Sequence, residues 1–92
     1  PAVLQDLAIV VDETVPAAAV QDLILAAGGY LLKEVCLFDV YRGAPVAEGK
    51  KSLAYALTFQ APDKTLRDEM VAKQVQRIVQ RLNRELGAEL RS

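Results

Sequence analysis

The sequence predicts an α+β domain with two layers, a four-stranded sheet covered on one face by two helices. Three observations carry this: two runs of strict apolar alternation, two stretches with helical spacing of apolar residues, and the order in which they come, strand, helix, strand, strand, helix, strand. The chain has 92 residues, about half of them apolar, which suffices for one compact core and not for two. A single domain over residues 1–92 is therefore expected. With four prolines, five glycines and no low-complexity tract, nothing in the chain reads as a linker.

Leu7, Ile9 and Val11 alternate with Asp6, Ala8, Val10 and Asp12, giving a first strand with one strongly apolar face and one small face. Thr14 or a neighbour is expected to cap a helix from Pro16 to Ala27, because proline is tolerated where the first amides lack helical partners. Val20, Leu23, Ile24 and Ala27 form its buried stripe, and Gly28 with Gly29 supplies a left-handed stop. Leu31 to Tyr41 is rich in strand formers, yet neither parity is cleanly apolar. A bulge near Leu37 and Phe38 resolves this by turning Val35, Leu37, Phe38 and Val40 inward and Asp39 and Tyr41 outward together.

Arg42 to Lys50 reads as a long hairpin loop with Gly43, Pro45 and Gly49. The third strand, Lys51 to Gln60, points Leu53, Tyr55, Leu57 and Phe59 inward and Ser52, Ala54, Ala56 and Thr58 outward. Thr65 and Asp68 resemble a capping box ahead of a long helix whose buried stripe is Val71, Val75, Ile78, Leu82 and Leu86. Lys73, Arg77, Arg81 and Arg84 lie along its exposed side, Gly87 ends it, and Ala88 to Arg91 forms a short last strand. Two helices in this order cover one face of a four-stranded antiparallel sheet, with a parallel relationship expected only between the two central strands. This is the ferredoxin-like βαββαβ sandwich, and its second face is open and built of small residues.

Composition narrows the function. The lone Cys36 cannot form an internal disulfide, and a chain without histidine has no zinc or triad constellation to place beside it. Cys36 is expected to be a half-buried apolar residue in a reducing, cytoplasmic setting. No apolar run approaches the roughly 20 residues that span a bilayer. An opening Pro1 in place of methionine suggests a piece of a longer polypeptide. The net charge of −1 hides a division: residues 1–49 carry −5 and residues 50–92 carry +4. The segment Phe38 to Ser52 gathers a ring, a carboxylate, a guanidinium, two ammonium groups and a hydroxyl, the groups that hold an exposed base and its phosphates.

The residues FDVYRG (38–43) followed by VAEGKKSLA (46–54) resemble the C-terminal ferredoxin-fold anticodon-binding domain of the β subunit of bacterial phenylalanyl-tRNA synthetase. The likeness extends to Pro1-Ala2, DLAIVVD (6–12), the VPA at Val15 to Ala17, Thr65-Leu66 and the closing Leu90-Arg91. It implies binding of the anticodon stem-loop of phenylalanine tRNA without catalysis and without a cofactor in this domain. Aminoacylation, with its ATP and Mg²⁺, would occur on a partner α subunit, and the rest of the β subunit would be a further partner. On this resemblance Tyr41 stacks on an anticodon base, Asp39 contacts the first anticodon base, a guanine, Ser52 makes a polar contact, and Arg91 lies near the loop. Leu4 and Gln5 stand where many relatives carry basic residues.

The chemistry is compatible with these roles on its own terms. A carboxylate facing RNA is unfavourable unless it accepts from a base edge, and guanine alone offers an adjacent imino and amino donor pair. Arg42, Lys50 and Lys51 are expected to contact phosphates, giving salt-dependent affinity. Two other readings of the topology are an acylphosphatase-like hydrolase and an amino-acid-sensing regulatory module. The first needs a phosphate cradle and the second a glycine at the first strand-to-helix turn, where Asp12, Glu13 and Thr14 stand instead.

Overall fold

The computed structural model describes residues 1–91. Its elements follow the expected order: β1 (Val3–Asp12), α1 (Ala17–Ala27), β2 (Leu32–Tyr41), β3 (Lys50–Phe59), α2 (Asp68–Leu86) and β4 (Glu89–Leu90). The sheet order is β2-β3-β1-β4, and all three neighbouring pairs are antiparallel. The central strands β1 and β3 are thus antiparallel, which corrects the expected parallel pairing. The crossover through α1 does make β1 and β2 parallel, but it leaves a strand-wide gap between them, and the hairpin folds β3 into that gap against both.

The alternation of β3 decides the two layers. Leu53, Tyr55, Leu57 and Phe59 are completely buried, as are Val20 and Ile24 of α1 and Ile78 and Leu82 of α2, all in one apolar cluster with Leu7, Ile9 and Val11 of β1. Burial of each such side chain is worth roughly 1.5–3 kcal/mol. The Tyr55 hydroxyl reaches through this core to donate to the Ala17 carbonyl at 2.9 Å, tying β3 to the start of α1.

Local signals at the helix ends are partly overruled. Pro16 itself is the N-cap of α1, without a side-chain hydrogen bond, and its carbonyl accepts from the Ala19 and Val20 amides. Thr14 therefore does not cap the helix. The capping box is also absent: Arg67 precedes α2 in an extended conformation with no side-chain cap, while Asp68 and Glu69 place negative charge in the first turn, where the helix dipole favours it. Gly28 remains right-handed at φ −73° and the left-handed stop is Gly29 at φ 71°. Gly28 is needed for another reason, since a Cβ there would lie 2.7 Å from Leu32 Cβ.

In β2 the register slips between Leu37 and Asp39, so the expected bulge is present with Phe38 as the inserted residue. Partners across a ladder share a face. Asp39 and Tyr41, opposite Ala54 and Ser52, are on the open face, and Val35, Leu37 and Val40, opposite Leu57, Tyr55 and Leu53, are on the core side. Phe38 does not turn inward; it is 55% exposed, because the inserted residue leaves the ladder. Val40 is also largely exposed, at the sheet edge with β3 on one flank only.

Two outcomes test this packing. Gly28→Ala should destabilise the fold by about 1–3 kcal/mol in urea unfolding, since the Leu32 Cβ cannot retreat as the tip of a flexible chain could. Burial raises the Tyr55 phenol from 10.0 to about 12. The stability that rests on its neutral form is complete below pH 10 and lost as pH climbs from 10 to 12, so Tyr55→Phe should flatten the alkaline unfolding curve in that window.

Candidate nucleic-acid interface

The open face at the hairpin end of the sheet is set by register. Tyr41, Ser52, Val10 and Glu89 form one row across the four strands, and Asp39, Ala54 and Ala8 form the next. The Arg91 amide donates to the Ala8 carbonyl at 2.9 Å, which extends the second row beyond β4. From there the Arg91 side chain reaches back across β1, whose open-face residues here are Ala8 and Val10. Its Nη1 donates to Ser52 Oγ at 3.2 Å, and its Cζ sits 5.1 Å from the centre of the Tyr41 ring. That distance is within the range of a cation–π contact.

Three of the residues singled out from sequence, Tyr41, Ser52 and Arg91, are therefore in mutual contact although 50 positions separate the first from the last. Tyr41 remains 39% exposed, and its hydroxyl donates to the Ala44 carbonyl at 2.7 Å. Asp39 is exposed on the same face. Ser52 is only 3% exposed, beneath the Arg91 guanidinium. Cys36, opposite Ala56, also lies on this face and is exposed rather than half-buried, because the edge strand has no neighbour to shield it.

The expected phosphate-binding cations are placed differently. Arg42 grips Glu13 with both Nε and Nη2, the second at 2.8 Å from Oε2. Lys51 Nζ lies 3.5 Å from Glu13 Oε2, and its side chain is 10% exposed on the core-side parity of β3, opposite Val11. Lys50 is on the open-face parity and pairs with Asp12 at 3.6 Å. All three cations are thus matched by two acids, Asp12 at the end of β1 and Glu13 at the start of the turn into α1. Between that turn and the hairpin loop is a cleft of about 480 Å³ lined by Glu13, Arg42, Ala44, Val46 and Lys50.

Glu13 is the residue that sequence reading missed. It entered only as an obstacle to an anion site, and nothing in the local pattern announces a partner 29 positions away. The Arg42 hydrogen bond, helped by the charges of Arg42 and Lys51 and opposed by desolvation, holds its carboxyl at about 2, far below 4.5. The same pairing raises the Arg42 guanidinium. On α2, Arg81 is paired with Glu85 at 2.8 Å, while Lys73, Arg77 and Arg84 are exposed. Among the described residues no group of three His, Cys, Asp or Glu could hold a metal ion, and no helix is long and apolar enough to cross a membrane.

The depressed Glu13 carboxyl makes an acid-side prediction. Its contribution to stability is complete above pH 4.5 and is lost as pH falls toward 2. Glu13→Gln should therefore shallow the loss of stability across that window, measured by chemical unfolding at fixed pH values.

Residues 1–91 match the model of the "ferredoxin-fold anticodon binding domain". A phenylalanine–tRNA ligase beta subunit of Moorella thermoacetica is 57% identical over 91 residues, which is 99% of this chain and 11% of that protein. The same-named subunits of Symbiobacterium thermophilum and Corynebacterium jeikeium are 51% and 48% identical over the whole chain. The chain spans about a tenth of the length of these relatives, 11% or 10% in each case. By its fold, its match over residues 1–91 and its identity with these subunits, the chain belongs to the ferredoxin-fold anticodon-binding domain family.

Proposed function

We propose that this chain reads the anticodon stem-loop of phenylalanine tRNA on its open sheet face, as part of the β subunit of a phenylalanyl-tRNA synthetase. An anticodon-binding domain is a binding module, not a catalytic one. In this reading the α subunit and the rest of the β subunit are its protein partners in the cytoplasm. Aminoacylation, with its ATP and Mg²⁺, takes place outside this domain, which takes no cofactor of its own.

The observation that carries the reading is the joint display of Asp39 and Tyr41 on the open face by the Phe38 bulge, next to Arg91. Tyr41 offers a rigid ring for an unpaired base. Asp39, exposed two residues away on the same face, offers a carboxylate to the edge of the first anticodon guanine. Arg91 reaches the same place with a positive charge that can follow a phosphate or a base, and Ser52 stays behind it as a hydroxyl available once the guanidinium moves. Lys50 is the hairpin cation best placed for a phosphate, since it shares the open face and is held only at 3.6 Å by Asp12. Arg42 and Lys51, the other phosphate candidates, sit closer to Glu13 than to that face.

Titration of a stem-loop with a G-A-A anticodon tests this. Tyr41→Ala should weaken binding by about 1–3 kcal/mol whatever the first base. Asp39→Ala should leave binding in place while narrowing the preference for guanine at the first position. If the natural stem-loop, one with that guanine replaced, and the Tyr41→Ala protein all give the same affinity, the proposed function fails. A chain that instead dimerises on adding a free amino acid would support the regulatory reading.

A further inference from the structure

Glu13 grips the hairpin loop at both of its ends. Its amide donates to the Gly49 carbonyl at 2.9 Å, its carboxylate takes the Arg42 guanidinium with two hydrogen bonds, and Oε2 lies 3.5 Å from Lys51. Arg42 opens the loop, and Gly49 and Lys51 flank its close. Within the loop the Val46 amide bonds the Gly43 carbonyl, Val46 is buried, and the Ala44 carbonyl receives the Tyr41 hydroxyl. The direction of the Tyr41 ring therefore depends on a loop whose two ends meet at one residue of the β1–α1 turn.

We infer that Glu13 is a positioning residue for RNA recognition: its clasp on Arg42, Gly49 and Lys51 holds the loop that orients Tyr41, and Arg42 and Lys51 serve this clasp instead of binding phosphate. The inference rests on the anticodon reading of Tyr41. Lys51 supports it most directly. Its side chain, only 10% exposed, is on the core-side parity of β3 and turned away from RNA on the opposite face, and its ammonium is 3.5 Å from the Glu13 carboxylate. Arg42 is bound in the paired, two-bond geometry that fixes direction as well as distance, which suits a brace. The competing role for Glu13 is that of an internal stand-in for phosphate, released when RNA arrives. The two roles predict opposite signs.

The test uses Glu13→Gln in the full chain, titrated with the G-A-A stem-loop over a series of salt concentrations, alone and in the Tyr41→Ala background. Amide hydrogen exchange at Val46 and Lys50 is measured without RNA, with Leu57 as a core reference. The clasp predicts binding about three- to tenfold weaker, a coupling typical of residues in contact. It also predicts an unchanged dependence on salt, no further loss once Tyr41 is gone, and faster exchange at Val46 and Lys50 with Leu57 unaffected. Tighter binding with a salt dependence steeper by about one phosphate contact would overturn it, because Arg42 or Lys51 would then have been freed for RNA. An equal loss in the Tyr41→Ala background, or unchanged exchange in the loop, would overturn it too. Should Tyr41→Ala by itself prove silent, the stacking role of Tyr41 fails and the inference with it, while the exchange data still decide whether the clasp orders the loop.

Discussion

The complete burial of alternate side chains of β3 from Leu53 to Phe59 is the constraint on which the rest depends. Leu53, Tyr55, Leu57 and Phe59 have no contact with water, so β3 cannot slip by one residue without exposing all four. That fixed register passes to both neighbours, β1 through ten paired positions and β2 through eight. It also determines what is left on the other face: Ser52, Ala54, Ala56 and Thr58, side chains too short to obstruct anything laid across them. The core and the candidate reading surface are two sides of a single alternation.

Against this rigid strand, β2 is adjusted by one residue. Without the insertion at Phe38, an uninterrupted ladder from Leu37 would pair Phe38 with Ala54 on the open face and send Asp39 and Val40 to the opposite parities. The bulge removes Phe38 from the ladder and returns Asp39 and Tyr41 to the side where Ser52 and Arg91 are. An apolar ring is left in water as a consequence. Bulges beside sites commonly trade local packing for aim in this way.

The parts of the fold that follow from periodicity were legible in the chain. The strands β1 and β3, the buried stripes of α1 and α2, and the bulge itself could be read because each is a pattern of neighbours a few residues apart. The fate of Phe38 was not legible, since periodicity says that a residue is inserted and not where its side chain goes. Both cap assignments failed for a related reason: Pro16 and Arg67 acquire their positions from how the helices dock on the sheet, and the carbonyl of Pro16 does what the Thr14 hydroxyl was expected to do. Of the site, the membership of Asp39, Tyr41 and Ser52 on one face could be derived from parity, and parity should also have separated Lys51 from Lys50. The Glu13 network lay beyond reach, because it exists only where the hairpin loop comes back over the β1–α1 turn.

Arg91 reaches from just beyond β4 to rest on Tyr41, and a ring has only two sides. With a guanidinium occupying one of them, a single side is left for a nucleobase, so a stack built here would terminate at the protein after one base instead of continuing through it. The covering charge also lies where it would withdraw electron density from the ring beneath an arriving purine. In the proposed reading, a three-tier column of cation, phenol and base would have a defined top and bottom, and that would give an RNA loop one direction of approach to this sheet.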